Sequence, residues 1–222
     1  MKSMWHFGDS FTTPNNKKGW GFELSNKLNR KFVHRGQSGA SNFQILLNLI
    51  NELPNINSSD VILINWSFLT RGILFTKNGM ISTNRFYFDE GKSFNTSENL
   101  ETHEIELKNE YLSSITYLLE NSIQENSIVF TLSNSIQKYL EQKDIRMISV
   151  FLEKDWLTIN GKKEKWPNNN FNLYNLKFEP DYFRWLEKNN YLGDSELDTH
   201  YKDGISDIIA NEYFNKITQD II

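Results

Sequence analysis

The feature that most constrains the fold is an alternation, near the N-terminus, of short apolar runs with segments of helical spacing. Ser3 to Phe7 (SMWHF) is a short apolar run, Gly19 to Leu28 carries Phe22, Leu24 and Leu28 at helix-like spacing, and Lys31 to His34 is short and extended. That is a βαβ unit, and it repeats. Ser41 can cap a helix running through Ile45, Leu46, Leu49 and Ile50 to Pro54, after which Asp60 to Asn65 (DVILIN) reads as a strand buried on both faces. Strands separated by helices form a parallel sheet covered on both sides and wound by right-handed crossovers.

The second half continues the pattern with interruptions. The spacing predicts a helix from about Glu104 to Ser122, a strand from Ser127 to Leu132, a helix near Ser135 to Glu141, a strand from Arg146 to Leu152, a short helix from Pro180 to Lys188, and a closing helix from about Gly204 to Ile217. The expected architecture is therefore one α/β domain over residues 1–222, with a central parallel sheet of about five strands. Irregular insertions fall near 72–100 and 154–193, where Gly, Asn, Pro and aromatic residues replace periodic patterning.

Composition narrows the function classes. The net charge of -4 comes without a basic stripe, so neither nucleic acid nor an anionic membrane is an expected partner. The chain has no cysteine, which excludes disulfides and thiolate metal sites, and its 4 histidines lack ligand spacing, so neither metal nor organic cofactor is expected. No secretory leader or run of about 18 apolar residues is visible, and the expected location is cytoplasmic or virion-associated. An aromatic content of 14%, spread along the chain, argues for a folded protein despite a negative mean hydropathy. Nothing in the sequence marks an oligomeric state.

In an open parallel sheet, ligands sit beyond the carboxyl ends of the strands. Ser10 follows the first strand, the segment Gly36 to Asn42 (GQSGASN) follows the second, and Asn65-Trp66-Ser67 follows the third. Asp198-Thr199-His200, preceding the last helix, is placed to reach the same edge. Taken singly, Ser10 is a turn or cap serine, Gly39 a turn glycine, and Asp198 a helix-end residue. Together they supply a nucleophile, a base, an orienting carboxylate and oxyanion donors.

In these residues the chain resembles the SGNH (GDSL-like) hydrolases. Their four sequence blocks correspond, in order, to Gly8-Asp9-Ser10-Phe11, the Gly39 region of Gln37-Ser38-Gly39-Ala40-Ser41, Asn65-Trp66-Ser67, and Asp198-Thr199-His200. The resemblance implies a flavodoxin-like three-layer α/β/α sandwich in which Ser10 attacks an acyl carbonyl, His200 moves its proton, and Asp198 orients the imidazole. It also implies an oxyanion hole formed by the N–H groups of Ser10 and Gly39 with a side-chain donor from the third block.

The third block departs from the family pattern. The usual Gly-x-Asn-Asp, laid over VILINWSFLTR, puts its asparagine at Ser67, while a real asparagine stands two residues earlier at Asn65. Positions two apart on an extended segment face the same way, so both are candidates. Loss of one such donor costs about 2.7 to 4 kcal/mol in the transition state. The family implies a small-molecule or glycan ester as substrate, foremost an O-acetyl group on carbohydrate. The alternatives are acyl transfer to a sugar hydroxyl and a non-catalytic glycan-binding or structural module with a degraded oxyanion hole.

Other polar residues carry plainer expectations. His6 and His34, in the first and second strands, read as structural imidazoles, and His103 as solvated. Arg71, just past the third strand, reads first as a surface ion pair and second as a partner for an acidic substrate group. Trp66, Phe86, Tyr87, Phe88, Trp156 and Trp166 read as core of the insertions, or as a sugar-stacking wall.

Overall fold

The computed structural model describes residues 2–12, 19–69, 71–76, 79–84, 115–152, 156–159, 162–165, 182–193, 201–202 and 204–219. Its elements, in chain order, are β1 (Ser3–Phe7), α1 (Trp20–Lys27), β2 (Lys31–His34), α2 (Asn42–Glu52), β3 (Val61–Trp66), β4 (Arg71–Thr76), β5 (Gly79–Asn84), α3 (Ile115–Glu141), β6 (Arg146–Phe151), β7 (Trp156–Ile159), β8 (Lys162–Lys165), α4 (Tyr182–Lys188) and α5 (Ser206–Gln219). A single 3-10 turn, Leu53–Asn55, ends α2 where Pro54 stops a helix from continuing.

The central sheet has the order β2-β1-β3-β6, and every pairing in it is parallel. Alternate residues of each strand serve opposite layers, as the two-residue repeat of a strand requires. Trp5, Phe7, Ile62, Ile64, Trp66 and Met147 join one core with Ile45, Leu46 and Leu49 of α2 and Val129, Phe130 and Leu140 of α3. Met4, Leu63, Ile148 and Val150 join the other with Trp20 and Leu24 of α1, Leu186 of α4, and Ile209, Tyr213 and Ile217 of α5. Because both faces are covered, the strands are near-continuous in apolar residues.

Local chemistry fixes where the elements begin. Ser41 caps α2 in a reciprocal arrangement: its hydroxyl accepts from the Gln44 N–H at 3.3 Å, and its own N–H donates to Gln44 Oε1 at 3.2 Å. At the opposite edge of the sheet, buried Asp60 accepts from the Ser3 N–H at 2.7 Å, from Trp5 Nε1 at 3.0 Å and from the Asn57 N–H at 3.0 Å, pinning the start of β1 beside β3.

One expected strand is not a strand. Residues 127–132 lie inside α3, a single helix of 27 residues, so the central sheet has four strands among the described residues in place of about five. The apolar run Ile128 to Leu132 (IVFTL) is split by burial: Val129 and Phe130 face the sheet, whereas Ile128 is 56% exposed and Leu132 44%. Buried positions Asn126, Val129, Phe130, Ser133, Gln137 and Leu140 recur at helical spacing, and no glycine or proline interrupts the segment. That longer period outweighs the β-propensity of the short run. The portion of the predicted helix before residue 115 lies outside the described residues.

The insertions contain local antiparallel pairs. β4 and β5 form one two-stranded sheet and β7 and β8 another. β4 begins directly after the third strand's loop and runs beside α2 and α3. Among the described residues no helix is long and apolar enough to cross a membrane, and no group of three or more His, Asp or Glu is placed to hold a metal ion.

Candidate active site

The carboxyl ends of β1, β2 and β3 bring their following loops to one edge. The Gly8 carbonyl accepts from the Gln37 N–H at 2.9 Å, tying the loop after β1 to the loop after β2. Gly8 itself is required by close packing, since a Cβ there would run into the Thr12 methyl and come within 3.0 Å of the Asn65 carbonyl.

Ser10 stands in a turn built by its neighbour Asp9. The Asp9 carbonyl accepts from the Thr12 N–H at 3.0 Å and the Thr12 hydroxyl at 2.7 Å, while Asp9 Oδ1 accepts from the Phe11 N–H at 3.0 Å. Trp20 Nε1 donates to the Phe11 carbonyl at 3.0 Å, fixing the far side of the turn. Ser10 is 9% exposed, at the boundary between core and solvent. Its N–H donates to no acceptor in this network of turn bonds.

Gly39 occupies the loop after β2 at φ +75, in a turn closed by the Ala40 N–H donating to the Gln37 carbonyl at 3.1 Å. Glycine adopts this left-handed conformation without the penalty a side chain would incur. An added Cβ would meet nothing within 4 Å, so backbone conformation, and not crowding, is what selects glycine here.

Arg71 joins all three loops. Its Nη1 lies 2.9 Å from Asp9 Oδ2, 2.9 Å from Ser67 Oγ and 3.3 Å from the Ala40 carbonyl. The Ser67 hydroxyl in turn donates to Asp9 Oδ2 at 2.7 Å. The Arg71 and Asp9 side chains are 8% and 2% exposed, so the ion pair expected at the surface is buried, and its acid belongs to the protein's own first block. The guanidinium carbon sits 5.3 Å from the Phe68 ring centroid.

A second clamp holds the loop after β3. Asn42 Oδ1 accepts from the Ser67 N–H at 2.6 Å, and Asn42 Nδ2 donates to the Ser67 carbonyl at 3.3 Å and to Asn126 Oδ1 at 2.7 Å. Asn126 Nδ2 then donates to the Leu69 carbonyl at 2.9 Å, carrying the clamp onto α3.

Asn65 points elsewhere. Its Nδ2 can only donate, so the Tyr213 hydroxyl accepts at 2.7 Å, and Asn65 Oδ1 accepts from His6 Nε2 at 3.1 Å. This assigns the His6 proton to Nε2. Burial pushes the His6 pKa from 6.5 down to about 3, opposed in part by the Asn65 bond and reinforced by nearby His34. Burial also raises Tyr213 above its ordinary range. The network is a neutral polar chain inside the core.

These contacts decide what each third-block side chain has left to offer. Asn65 lies within β3 and is engaged in the core, whereas Ser67 lies past the strand's end, so the same-face rule does not relate the two. Ser67 has a single hydroxyl hydrogen, and it is directed at Asp9.

Solved structures share this arrangement of layers. LAE5, an alpha/beta hydrolase enzyme from the metagenome of Lake Arreo, Spain, is similar at a TM-score of 0.52 and 10% identity, over 98% of this chain and 95% of that one. The chain shares its fold with that hydrolase. Its parallel, doubly covered sheet is the expected three-layer α/β/α sandwich. The Bacillus subtilis protein YxiM is similar at a TM-score of 0.51 and 13% identity, over 100% of this chain and 57% of that one, so this chain spans little more than half its length. A protein described as a GDSL-like lipase from Parabacteroides merdae has a TM-score of 0.48 at 11% identity, over 98% of this chain and 95% of that one. No protein-family model matches the chain, and none of the curated proteins does.

In this hydrolase fold, Ser10, Gly39 and Ser67 follow adjacent strands, and their loops are bonded together as described. Asp198 and His200 lie outside the described residues. Tyr201, the residue after His200, packs against the same core cluster as Phe11 and Phe68, and is bridged to Leu192. Sequence reasoning missed the joining roles of Arg71, Asn42 and Asn126. The available signal was Asp9, a carboxylate beside the serine that needs a buried partner.

Proposed function

We propose that the chain is a serine esterase acting on small acyl esters, foremost O-acetyl groups on carbohydrate. The observation that carries this reading is Ser10 itself: it follows β1 at the carboxyl edge of the sheet, in a turn closed by the Phe11 and Thr12 N–H groups donating to Asp9, at the margin of solvent. Such a turn holds a hydroxyl where a substrate can meet it.

In the proposed reaction, Ser10 Oγ attacks the acyl carbon while His200 accepts its proton, and Asp198 holds the imidazole tautomer. Collapse of the tetrahedral intermediate expels the alcohol, which takes the proton from His200. Water then attacks the acyl-enzyme by the same route and releases the acid. The N–H groups of Ser10 and Gly39 stabilise the oxyanion. With Asn65 and Ser67 engaged elsewhere, two backbone donors act without a third side chain, and turnover is slow for the fold.

The same engagement favours a second reading, a glycan-binding module that keeps the fold without turnover. Hydrolysis of p-nitrophenyl acetate by the purified chain, compared with Ser10→Ala, tests the proposal. Release above the variant's rate supports the esterase, and identical rates together with measurable glycan binding support the module.

A further inference from the structure

We infer that Arg71 is a positioning residue for Ser10, acting through Asp9. A parallel sheet pairs its strands by ladder bonds, but at the carboxyl edge the ladders stop and each loop must be held separately. The loop after β1 carries Ser10, the loop after β2 carries Gly39, and the loop after β3 carries Ser67. One nitrogen, Arg71 Nη1, bonds to all three: to the Asp9 carboxylate, the Ala40 carbonyl and the Ser67 hydroxyl.

The direction of action runs through the carboxylate. Asp9 Oδ2 receives Arg71 and Ser67, while Oδ1 receives the Phe11 N–H, so fixing one oxygen fixes the plane of the other and with it the turn around Ser10. Nucleophiles work within narrow geometry, and a shift of about 1 Å costs roughly a hundredfold in rate. Arg71 is also the first residue of β4, so the β4–β5 pair is anchored to the nucleophile's turn through this side chain. All three bonds come from one nitrogen, whose two hydrogens are shared among three acceptors; a lysine ammonium, on a stem one bond shorter, brings a positive charge and three hydrogens close to that point.

The kinetic half of this inference rests on the esterase reading, whereas the structural half does not. The test is amide hydrogen exchange and p-nitrophenyl acetate kinetics on the whole chain and on Arg71→Met and Arg71→Lys. Arg71→Met is expected to speed exchange at Phe11, Thr12 and Ser67 by about tenfold or more beyond any change at the ladder amides of Met4 and Ile62, which follow global stability, and to lower kcat roughly a hundredfold at similar KM. Arg71→Lys is expected to recover both toward wild type. Should Arg71→Met fail to fold, Asp9→Asn/Arg71→Met removes the remaining buried charge and serves with the same readouts.

Unchanged or uniformly raised exchange in the methionine variant overturns the inference, as does a raised KM with kcat intact. If the wild type neither turns over ester nor takes up a fluorophosphonate, the esterase reading falls, and the local exchange pattern alone decides the role of Arg71.

Discussion

Arg71 Nη1 and Asp9 Oδ2 are 2.9 Å apart, with both side chains sealed from solvent. Removing water from two charges is expensive, and neutral partners in Ser67, Ala40 and Phe11 offset part of that cost, while Arg71 Nε stays buried without an acceptor among the described residues. The pair occupies the edge where chemistry is expected, so its cost is tied to holding loops in place.

The first prediction concerns that pair. Arg71→Met or Asp9→Asn alone leaves a buried charge without its counter-charge in Arg71 or Asp9 and is expected to destabilise by about 3 to 5 kcal/mol. The double variant is expected to recover a large part of the loss. Urea unfolding of the four proteins in a double-mutant cycle measures the coupling, and additive losses would show that the two residues do not act as a unit.

The second concerns Asn65. Asn65→Ala removes a hydrogen-bond partner from both His6 and Tyr213 in the core, and a loss of about 1 to 3 kcal/mol is expected, chiefly from the buried imidazole left unsatisfied. Because its amide faces that core, kcat of the folded protein is expected to stay within about threefold. A loss of a hundredfold or more in kcat, the signature of a missing oxyanion donor, would return Asn65 to the site.

The third concerns pH. His6 in the fold has its pKa lowered from 6.5 to about 3, so the unfolded chain binds a proton that the folded chain refuses. The stability contributed by neutral His6 is fully present above pH 6.5 and is lost as pH falls toward 3. Burial lowers the His34 pKa as well, which adds in the same direction. Unfolding free energy measured from pH 7 to pH 4 is expected to fall, and His6→Gln is expected to flatten that slope by up to one proton while lowering stability at pH 7. An unaltered slope would contradict the assignment.

The fourth concerns Gly39. Gly39→Ala meets no crowding but must hold a side chain at φ +75, at a cost of about 1 to 2 kcal/mol. Relaxation of that turn moves the N–H assigned to the oxyanion, so kcat is expected to fall tenfold or more, with KM little changed. Thermal unfolding and steady-state kinetics check the two effects separately.

What was legible in the sequence follows from how local each signal is. Ser3–Phe7, Val61–Trp66 and the strand at Arg146–Phe151 announce themselves because doubly buried strands are short and nearly continuous in apolar residues, and Lys31–His34, the half-buried edge strand, is legible from its place after the first helix. Ser41 and Gln44 spell out a cap within four residues. The helix through Ile128 to Leu132 was misread because a brief β-branched and aromatic run hides the longer helical period that surrounds it.

The candidate site divides along the same line. Ser10 and Gly39 stand in recognisable blocks, each tied to a strand end. The Asp9 to Arg71 contact joins residues 62 apart, and the Asn42 to Asn126 contact joins residues 84 apart. No local pattern encodes such pairs; they follow from the parallel winding that stacks three loops on one edge. Ser67 illustrates the consequence, since its alignment marks it as an oxyanion donor while its hydroxyl is directed at Asp9.

The most direct test of the account is covalent labelling of the whole chain with a fluorophosphonate probe, followed by peptide mapping. One adduct is expected, on Ser10, lost in Ser10→Ala and strongly slowed in His200→Ala. Absence of an adduct on Ser10 in the folded wild-type protein would contradict it.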